Sequence, residues 1–165
     1  FHLCQLAIKY FKIKKVGKII NLSGGGATSP LPFISSYSAS KAALVRLTET
    51  LANEVSLYGI EINAIAPGAL NTRFLDQVLD AGSDNVGKDF YEKALKQKSE
   101  GGAPLSRGAA LCAYLASEQS GKINGKLISA IWDPWENLVR HFENSSSPDI
   151  YTLRRIIPED RGENW

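Results

Sequence analysis

Residues 17–66 read as strand, helix, strand, and that order limits the fold more than any other stretch of the chain. Gly17-Lys18-Ile19-Ile20-Asn21-Leu22-Ser23 is an apolar run bounded by glycine, and it leads into the polar loop Gly24-Gly25-Gly26-Ala27-Thr28-Ser29-Pro30. A helix is expected from near Ser35, with Leu44, Leu47, Leu51 and Val55 at three- and four-residue intervals, ending around Gly59. Ile60-Glu61-Ile62-Asn63-Ala64-Ile65-Ala66 then reads as a second strand, closed by Pro67-Gly68 and followed by Thr72. Two strands joined through a helix imply parallel pairing and a right-handed crossover, which places the chain among α/β folds.

Within that frame, Tyr37 and Lys41 fall one helical turn apart in Ser35-Ser36-Tyr37-Ser38-Ala39-Ser40-Lys41, so phenol and ammonium share a helix face. A free phenol near pKa ~10 exchanges protons poorly at neutral pH, and a fixed neighbouring cation favours phenolate and lowers that value. The pair is therefore a candidate general acid/base. The spacing alone also occurs on ordinary solvated helices; its surroundings give it weight.

Taken together, the strand end Lys18-Ile19-Ile20-Asn21-Leu22-Ser23, the helix start Tyr37-Ser38-Ala39-Ser40-Lys41 and the run Asn63-Ala64-Ile65-Ala66-Pro67-Gly68 with Thr72 resemble the C-terminal part of a short-chain dehydrogenase/reductase. Gly121-Lys122-Ile123-Asn124-Gly125-Lys126-Leu127-Ile128 is similar to the family's turn into its last strand. The resemblance covers roughly residues 1 to 131. It implies the C-terminal portion of a Rossmann-type doubly wound parallel sheet, about three strands with flanking helices, with residues 132–165 as a tail that packs on the body or on a partner subunit. It also implies an NAD- or NADP-dependent enzyme interconverting a secondary alcohol and a carbonyl, acting on a small molecule as a homodimer or homotetramer. Tyr37 would be the acid/base. Lys41 would lower the tyrosine pKa and bond the nicotinamide ribose, Pro67-Gly68 would run beside the nicotinamide, and Thr72 would bond the cofactor. In such chemistry the cofactor carries the reactive atom, and the protein supplies orientation and a proton.

One group departs from the family pattern. The serine expected thirteen positions before the tyrosine is Gly24 here, and Ser23 lies fourteen before it. Ser23 is the candidate carbonyl-polarising hydroxyl, aimed inward by a one-residue adjustment in the glycine loop; the alternative is that it only ends the strand. The family's first strand, its glycine-rich dinucleotide turn and the residue that reads the adenosine ribose have no counterpart, because Gly24-Gly25-Gly26 follows the wrong strand and lacks G-x-G-x-x-G spacing. The chain opens on Phe1 without a methionine, and residues 1–13 read as the back half of a helix, so a truncated part of a longer enzyme is expected.

Composition narrows the remainder. At 44% hydrophobic and 22% charged, 165 residues suffice for one core, and a net charge of +2 gives no steer to nucleic acid or membrane. No run approaches the ~18 apolar residues of a membrane span, so a cytoplasmic protein is the default. Cys4 and Cys112 lack metal-ligand spacing and are expected as buried thiols; His2 and His141 have no His/Cys cluster around them, so no metal site is expected. Lys9, Lys12, Lys14, Lys15 and Lys18 suit a helix C-terminus better than a nucleic-acid contact. A nucleophile elbow of the G-x-S-x-G type is absent, which disfavours hydrolysis.

Residues 71–80, 87–99 and 105–116 read as helices, the first two as a variable lid over substrate and the third packed on the sheet. Phe90, Tyr91, Ala94 and Leu95 mark the apolar side of the middle one, while Glu92, Lys93, Lys96, Lys98 and Glu100 form a solvated face. Arg73 and Phe74 are pocket candidates by position. In the tail, Trp132 and Trp135 need covering, Ser145-Ser146-Ser147-Pro148 reads as a loop, and residues 150–157 as a docked segment. Two other functions compete with the dehydrogenase: a noncatalytic remnant or interaction module that keeps dimerising helices at 1–13 and 35–57, and, more distantly, a nucleotide-sugar epimerase or dehydratase.

Overall fold

A strand between two helical layers needs apolar groups on both faces, and the second strand supplies them. The computed structural model describes residues 1–143 and 147–164. In it β1 (Gly17–Leu22), β2 (Ile60–Ala66) and β3 (Leu127–Ser129) form a parallel sheet in the order β1-β2-β3. Gly17 to Leu22 pair with Ile60 to Ile65, and Ala64 to Ala66 pair with Leu127 to Ser129. This is the expected three-stranded C-terminal portion of a Rossmann-type sheet.

One face of β2 presents Ile60 and Ile62 to Cys4 and Ile8 of α1 (His2–Lys14) and to Leu51, Ala52 and Val55 of α2 (Ser35–Val55). Its other face presents Ile65 to Leu111 and Leu115 of a helix spanning Leu105–Ala116, with Ile123, Ile128 and Leu138 completing that layer. Asn63 shares the second face, and its buried amide donates to Ile123 O at 2.8 Å and accepts from Lys126 N at 3.0 Å. Asn124 accepts from Ile62 N at 2.8 Å and donates to Ala52 O at 3.1 Å. These side-chain amides join the backbone bonds Gly125 N to Ile62 O at 2.9 Å and Ala64 N to Lys126 O at 2.8 Å, so residues 123–126 are already docked on β2 before β3 begins at Leu127.

The lid consists of α3 (Arg73–Ala81), α4 (Ser83–Val86) and α5 (Lys88–Glu100), one short helix more than the sequence suggests; Leu105–Ala116 follows as α6 and Leu138–Glu143 as α7. Leu75, Val78, Val86 and Ala94 form its core, flanked by Phe90 and Tyr91. Leu95, expected on that seam, is 46% exposed. It lies beyond the arc that residues 90, 91 and 94 already fill. Lys98 pairs with Asp76 at 2.6 Å and Lys96 with Glu100 at 3.9 Å, so these charges do form a solvated face. The basic run makes intramolecular contacts: Lys18 reaches Glu61 at 3.0 Å and Ser120 Oγ at 2.9 Å, and Lys12 stands 4.5 Å over the Tyr58 ring.

Cys4 is buried, Cys112 is half-buried, and both are free thiols. Among the described residues β1 pairs on one side only, Leu22 at its end is exposed, and α1 carries an outward stripe of Leu3, Leu6, Tyr10 and Ile13. No helix among them is long and apolar enough to cross a membrane.

The two tail tryptophans separate. Trp135 is buried, donates from Nε1 to Ala130 O at 3.2 Å and lies under the Arg107 guanidinium, whereas Trp132 is 84% exposed and uncovered. Of the expected Ser145–Pro148 loop, Ser145 and Ser146 lie outside the described residues. From Ser147 the chain returns along the free edge of β3, where Leu127 N donates to Tyr151 O at 2.8 Å.

Candidate functional site

Parallel strands deliver their C-terminal ends to one side of the sheet, and that is where loops can converge on a ligand. The ends of β1 and β2, the first turns of α2 and the lid surround a cavity of about 920 Å³. Ser23, Tyr37, Lys41, Pro67, Gly68 and Thr72 line it, as do Gly24 and Phe74, whereas Arg73, the other pocket candidate by position, is exposed and lies outside the lining.

Tyr37 sits in the opening turn of α2, with Lys41 one turn on, as the spacing implies. Lys41 Nζ donates to Leu22 O at 2.9 Å and lies 5.7 Å from the Tyr37 ring centroid. The cation is thereby anchored to the end of β1, within electrostatic reach of the phenol. The Tyr37 ring stacks on Phe74 of α3, centroids 4.7 Å apart and planes 20° from parallel. Burial under that ring pushes the phenol above its ordinary pKa. The lowered value expected from a neighbouring lysine is not found, because the lysine is held by a carbonyl and desolvation outweighs it.

Position 24 explains where the phenol points. A Cβ on Gly24 would stand 2.6 Å from Tyr37 Oη, so the hydroxyl occupies the space a side chain there would take. Gly24 is extended (φ −179°, ψ 174°), so adjacent side-chain directions alternate across it. Ser23 accordingly turns the other way: it is buried, and its Oγ donates to Lys41 O at 3.4 Å. Ser23 thus borders the cavity while its hydroxyl joins the end of β1 to α2.

Below the phenol, Gly68 takes φ +99°, and a Cβ there would meet Ile131 Cγ1 at 2.7 Å and Ala103 Cβ at 2.8 Å. Glycine is therefore required for the loop after β2 to pass under α6 and the β3 exit. Ala103 N donates to Ala69 O at 2.7 Å, and Asn71 and Gln97 exchange side-chain bonds that tie this loop to the lid. Thr72 opens α3 without a side-chain cap bond, leaving its hydroxyl to the cavity. On the loop opposite, a Cβ added at Gly25 would meet nothing within 4 Å, so the glycine run borders open space.

Lys93 of α5, Trp132 and Asp133 after β3, and Tyr151 and Thr152 in the tail also line the cavity; of the readings open for the tail, closing the pocket or packing on its own subunit or a partner, the sequence names no residue for the first. Helix position alone groups Lys93 with the solvated charges. The others come from segments without periodicity, and only the aromatic character of Trp132 and Tyr151 hints at them.

Comparison with known proteins gives a consistent result. A family model described as short chain dehydrogenase matches residues 1–82. The chain is 39% identical over 128 residues to 3beta-hydroxysteroid dehydrogenase 1 of Eggerthella lenta, an alignment covering 74% of this chain and 45% of that protein. It is 34% identical over 128 residues to the 3-oxoacyl-(acyl-carrier-protein) reductase FabG of Rickettsia bellii, covering 78% and 50%. The chain spans about half the length of these curated relatives. Among solved structures, a tyrosine-to-phenylalanine variant of ElxO with NADPH bound superposes with a TM-score of 0.61 at 27% identity, over 77% of this chain and 50% of that one. Levodione reductase superposes at 0.62 and 28%, over 74% and 48%.

Proposed function

The chain belongs to the short-chain dehydrogenase/reductase family, and on that premise we propose that the protein is an NAD- or NADP-dependent oxidoreductase interconverting a secondary alcohol and a carbonyl on a small molecule. Residues 1–131 are its C-terminal share of the dinucleotide-binding fold, and residues 132–165 form a tail on that body.

One observation carries the reading. Tyr37 and Lys41 stand one turn apart at the mouth of a cavity whose floor is a glycine-kinked loop and whose far side is an apolar lid. The fit to a nicotinamide rests on three features of this side: Gly68 holds a conformation that keeps side chains out of the loop, Thr72 has a hydroxyl free of capping, and Lys41 carries a cation fixed at the strand end. When bound, the nicotinamide donates or accepts the hydride. Pro67, Gly68 and Thr72 would hold it, with Lys41 bonding its ribose and Tyr37 beside the reacting carbon of the substrate. During reduction the Tyr37 phenol donates its proton to the carbonyl oxygen; during oxidation the phenolate takes the hydroxyl proton. Lys41 stabilises the charge left on the tyrosine oxygen.

Ser23 supports this pair from behind through Lys41 O and does not face the carbonyl. Position 24, where the family's serine stands, has no hydroxyl to offer. That glycine is the specific observation favouring the second reading, a noncatalytic family member that keeps the fold and its association surface.

Tyr37→Phe separates the two. In the full-length protein it should cut turnover by about 10²–10⁴-fold, the usual weight of a general acid/base, while cofactor affinity and melting temperature stay near wild type. Equal turnover in Tyr37→Phe, or no turnover of secondary alcohols or ketones in wild type, would overturn the catalytic proposal.

A further inference from the structure

The tail returns to the active-site cavity, and three charged side chains hold it there by its backbone. Leu153 is gripped at both polar groups: its N–H donates to Glu49 Oε1 at 2.6 Å, and its carbonyl accepts from the Arg46 guanidinium, which also pairs with Glu49. Lys126 Nζ donates to Pro148 O at 2.6 Å and to Ile150 O at 2.8 Å. Between these anchors Tyr151 takes φ +60°. A bulky residue rarely adopts that region, and it persists only where its surroundings over-determine it. Glu49 is 6% exposed, which is unusual for a carboxylate. Arg46 and Glu49 lie on α2, the helix that carries Tyr37 and Lys41, yet they are about one to three turns away from them and outside the cavity.

What the clamp positions is a wall. Tyr151 and Thr152 line the cavity that holds Tyr37, and Trp132 and Asp133 continue that wall. Leu153, fixed by the clamp, packs with Ala27, Val45 and Ala64 behind the glycine loop. The lid side of the cavity presents Phe74, Leu75, Val78 and Phe90, with Lys93 and Gln97 as its polar members. A cavity of about 920 Å³ is near the upper end of small-molecule sites, which run to roughly 1,000 Å³. A small ketone beside Tyr37 would leave the tail untouched.

We propose that the Arg46–Glu49–Lys126 clamp is a specificity device. It holds Tyr151 and Thr152 as the distal wall for substrates with a bulky apolar body, such as a fused ring system, and substrates too small to span the cavity are indifferent to it. The inference rests on the dehydrogenase reading, and Glu49 is a positioning residue acting through the tail.

The test compares kcat/KM for two ketones, the fused-ring decalone and the small butanone, in the full-length protein. Glu49→Ala should lower the ratio of the bulky to the small ketone about tenfold, the scale of a lost apolar contact. The change should fall on the Michaelis constant for decalone, with both constants for butanone unchanged. Glu49→Gln, which keeps an acceptor for Leu153 N, should recover most of it. Tyr151→Gly tests the wall directly: glycine accepts φ +60° without strain, which offsets part of the packing lost against Phe142, and the variant should lose the ratio with both butanone constants unchanged. Parallel loss for both ketones, or an unchanged ratio in Glu49→Ala and Tyr151→Gly, would overturn the proposal. If wild type reduces neither ketone, the dehydrogenase reading fails separately. The wall is then read by decalone binding beside the exposed Trp132, followed by fluorescence: a tenfold rise in Kd in Glu49→Ala supports it, and an unchanged Kd overturns it.

Discussion

Adding a single methyl group at position 24 should displace the Tyr37 hydroxyl, the proposed acid/base, without unfolding the protein. In Gly24→Ala the new Cβ lies 2.6 Å from Tyr37 Oη and 3.7 Å from Cζ. Ordinary contact of this kind begins near 3.4 Å, so the hydroxyl has to retreat by close to an ångström. The backbone raises no objection, since φ at residue 24 is −179°. The ring is boxed on one face by Phe74 at 4.7 Å, so the retreat must tilt the stack or shift the start of α2. Overpacking a well-filled site costs about 1–3 kcal/mol, and Tyr37 is only half-buried, which puts this case at about 1 kcal/mol. For a chain of this size that is a drop of roughly 2–4 °C in melting temperature. Turnover is more sensitive, because displacing a reacting group by about 1 Å can cost on the order of 10²-fold. Gly24→Ser carries the same Cβ and therefore the same steric demand, but adds a hydroxyl beside the phenol. The assay is ketone reduction and a thermal melt on wild type, Gly24→Ala and Gly24→Ser. Expected is a large loss in the alanine variant and at least a tenfold recovery in the serine variant. Wild-type turnover in Gly24→Ala would mean that the seating of Tyr37 Oη against residue 24 has no bearing on the chemistry.

Two other consequences bear on stability. Asn63→Ala removes the acceptor for Lys126 N and the donor to Ile123 O in a buried position, which should cost about 1–3 kcal/mol and loosen the entry to β3; chemical denaturation measures it, and a change below about 0.5 kcal/mol would contradict that role. Alkaline pH should also destabilise the fold. Burial raises the phenols of Tyr37, Tyr114 and Tyr151 and the Cys112 thiol, so the unfolded chain releases these protons first, and stability falls as pH rises through their unfolded values of about 8.5 to 10 and on through the higher folded ones. Lys126, lowered by burial, works in the opposite direction near its unfolded value of about 10.4, one group against four. Thermal melts between about pH 8 and 11 should show a declining midpoint, and a flat or rising one would contradict the assignment of burial as the dominant cause.

The elements whose signal is local are legible from the sequence. β1, α2 and β2 carry their periodicity, their bounding glycines and the Tyr37–Lys41 spacing within a continuous stretch, and the structure reproduces all three to within a residue or two. Leu95 departs from its expected place because a helix wheel gives the side of an apolar arc but not its width, and Phe90, Tyr91 and Ala94 are enough to fill the seam. The docking of residues 123–126 on β2 through Asn63 and Asn124 joins residues distant in sequence, which no local pattern encodes. Ser23 shows the limit of motif reading by counting. A hydroxyl one position away from the expected one is on the opposite side of an extended strand, so proximity in sequence becomes opposition in space. That a tail of this length could close the pocket can be read from the sequence, but what holds it cannot: its backbone is held by Glu49, Arg46 and Lys126, and backbone partners leave no trace in the composition of the segment they hold.

The geometry around Tyr37 also bears on the direction of the reaction. A phenol whose pKa is raised by burial is almost wholly protonated at neutral pH, and a protonated phenol serves carbonyl reduction directly. Oxidation needs the phenolate, and the group able to stabilise it, Lys41, is fixed through Leu22 O with its Nζ 5.7 Å from the ring centroid. A fixed cation beside the ring assists the charge when it forms, while burial keeps the neutral phenol as the favoured form. The proton therefore starts on Tyr37, the strand-end carbonyl keeps the cation one turn behind it, and the missing side chain at Gly24 gives the hydroxyl its place. Each of the three follows from backbone geometry at the end of β1, which is why a short run of residues, 22 to 24, has as much bearing on the proposed chemistry as the tyrosine and lysine themselves.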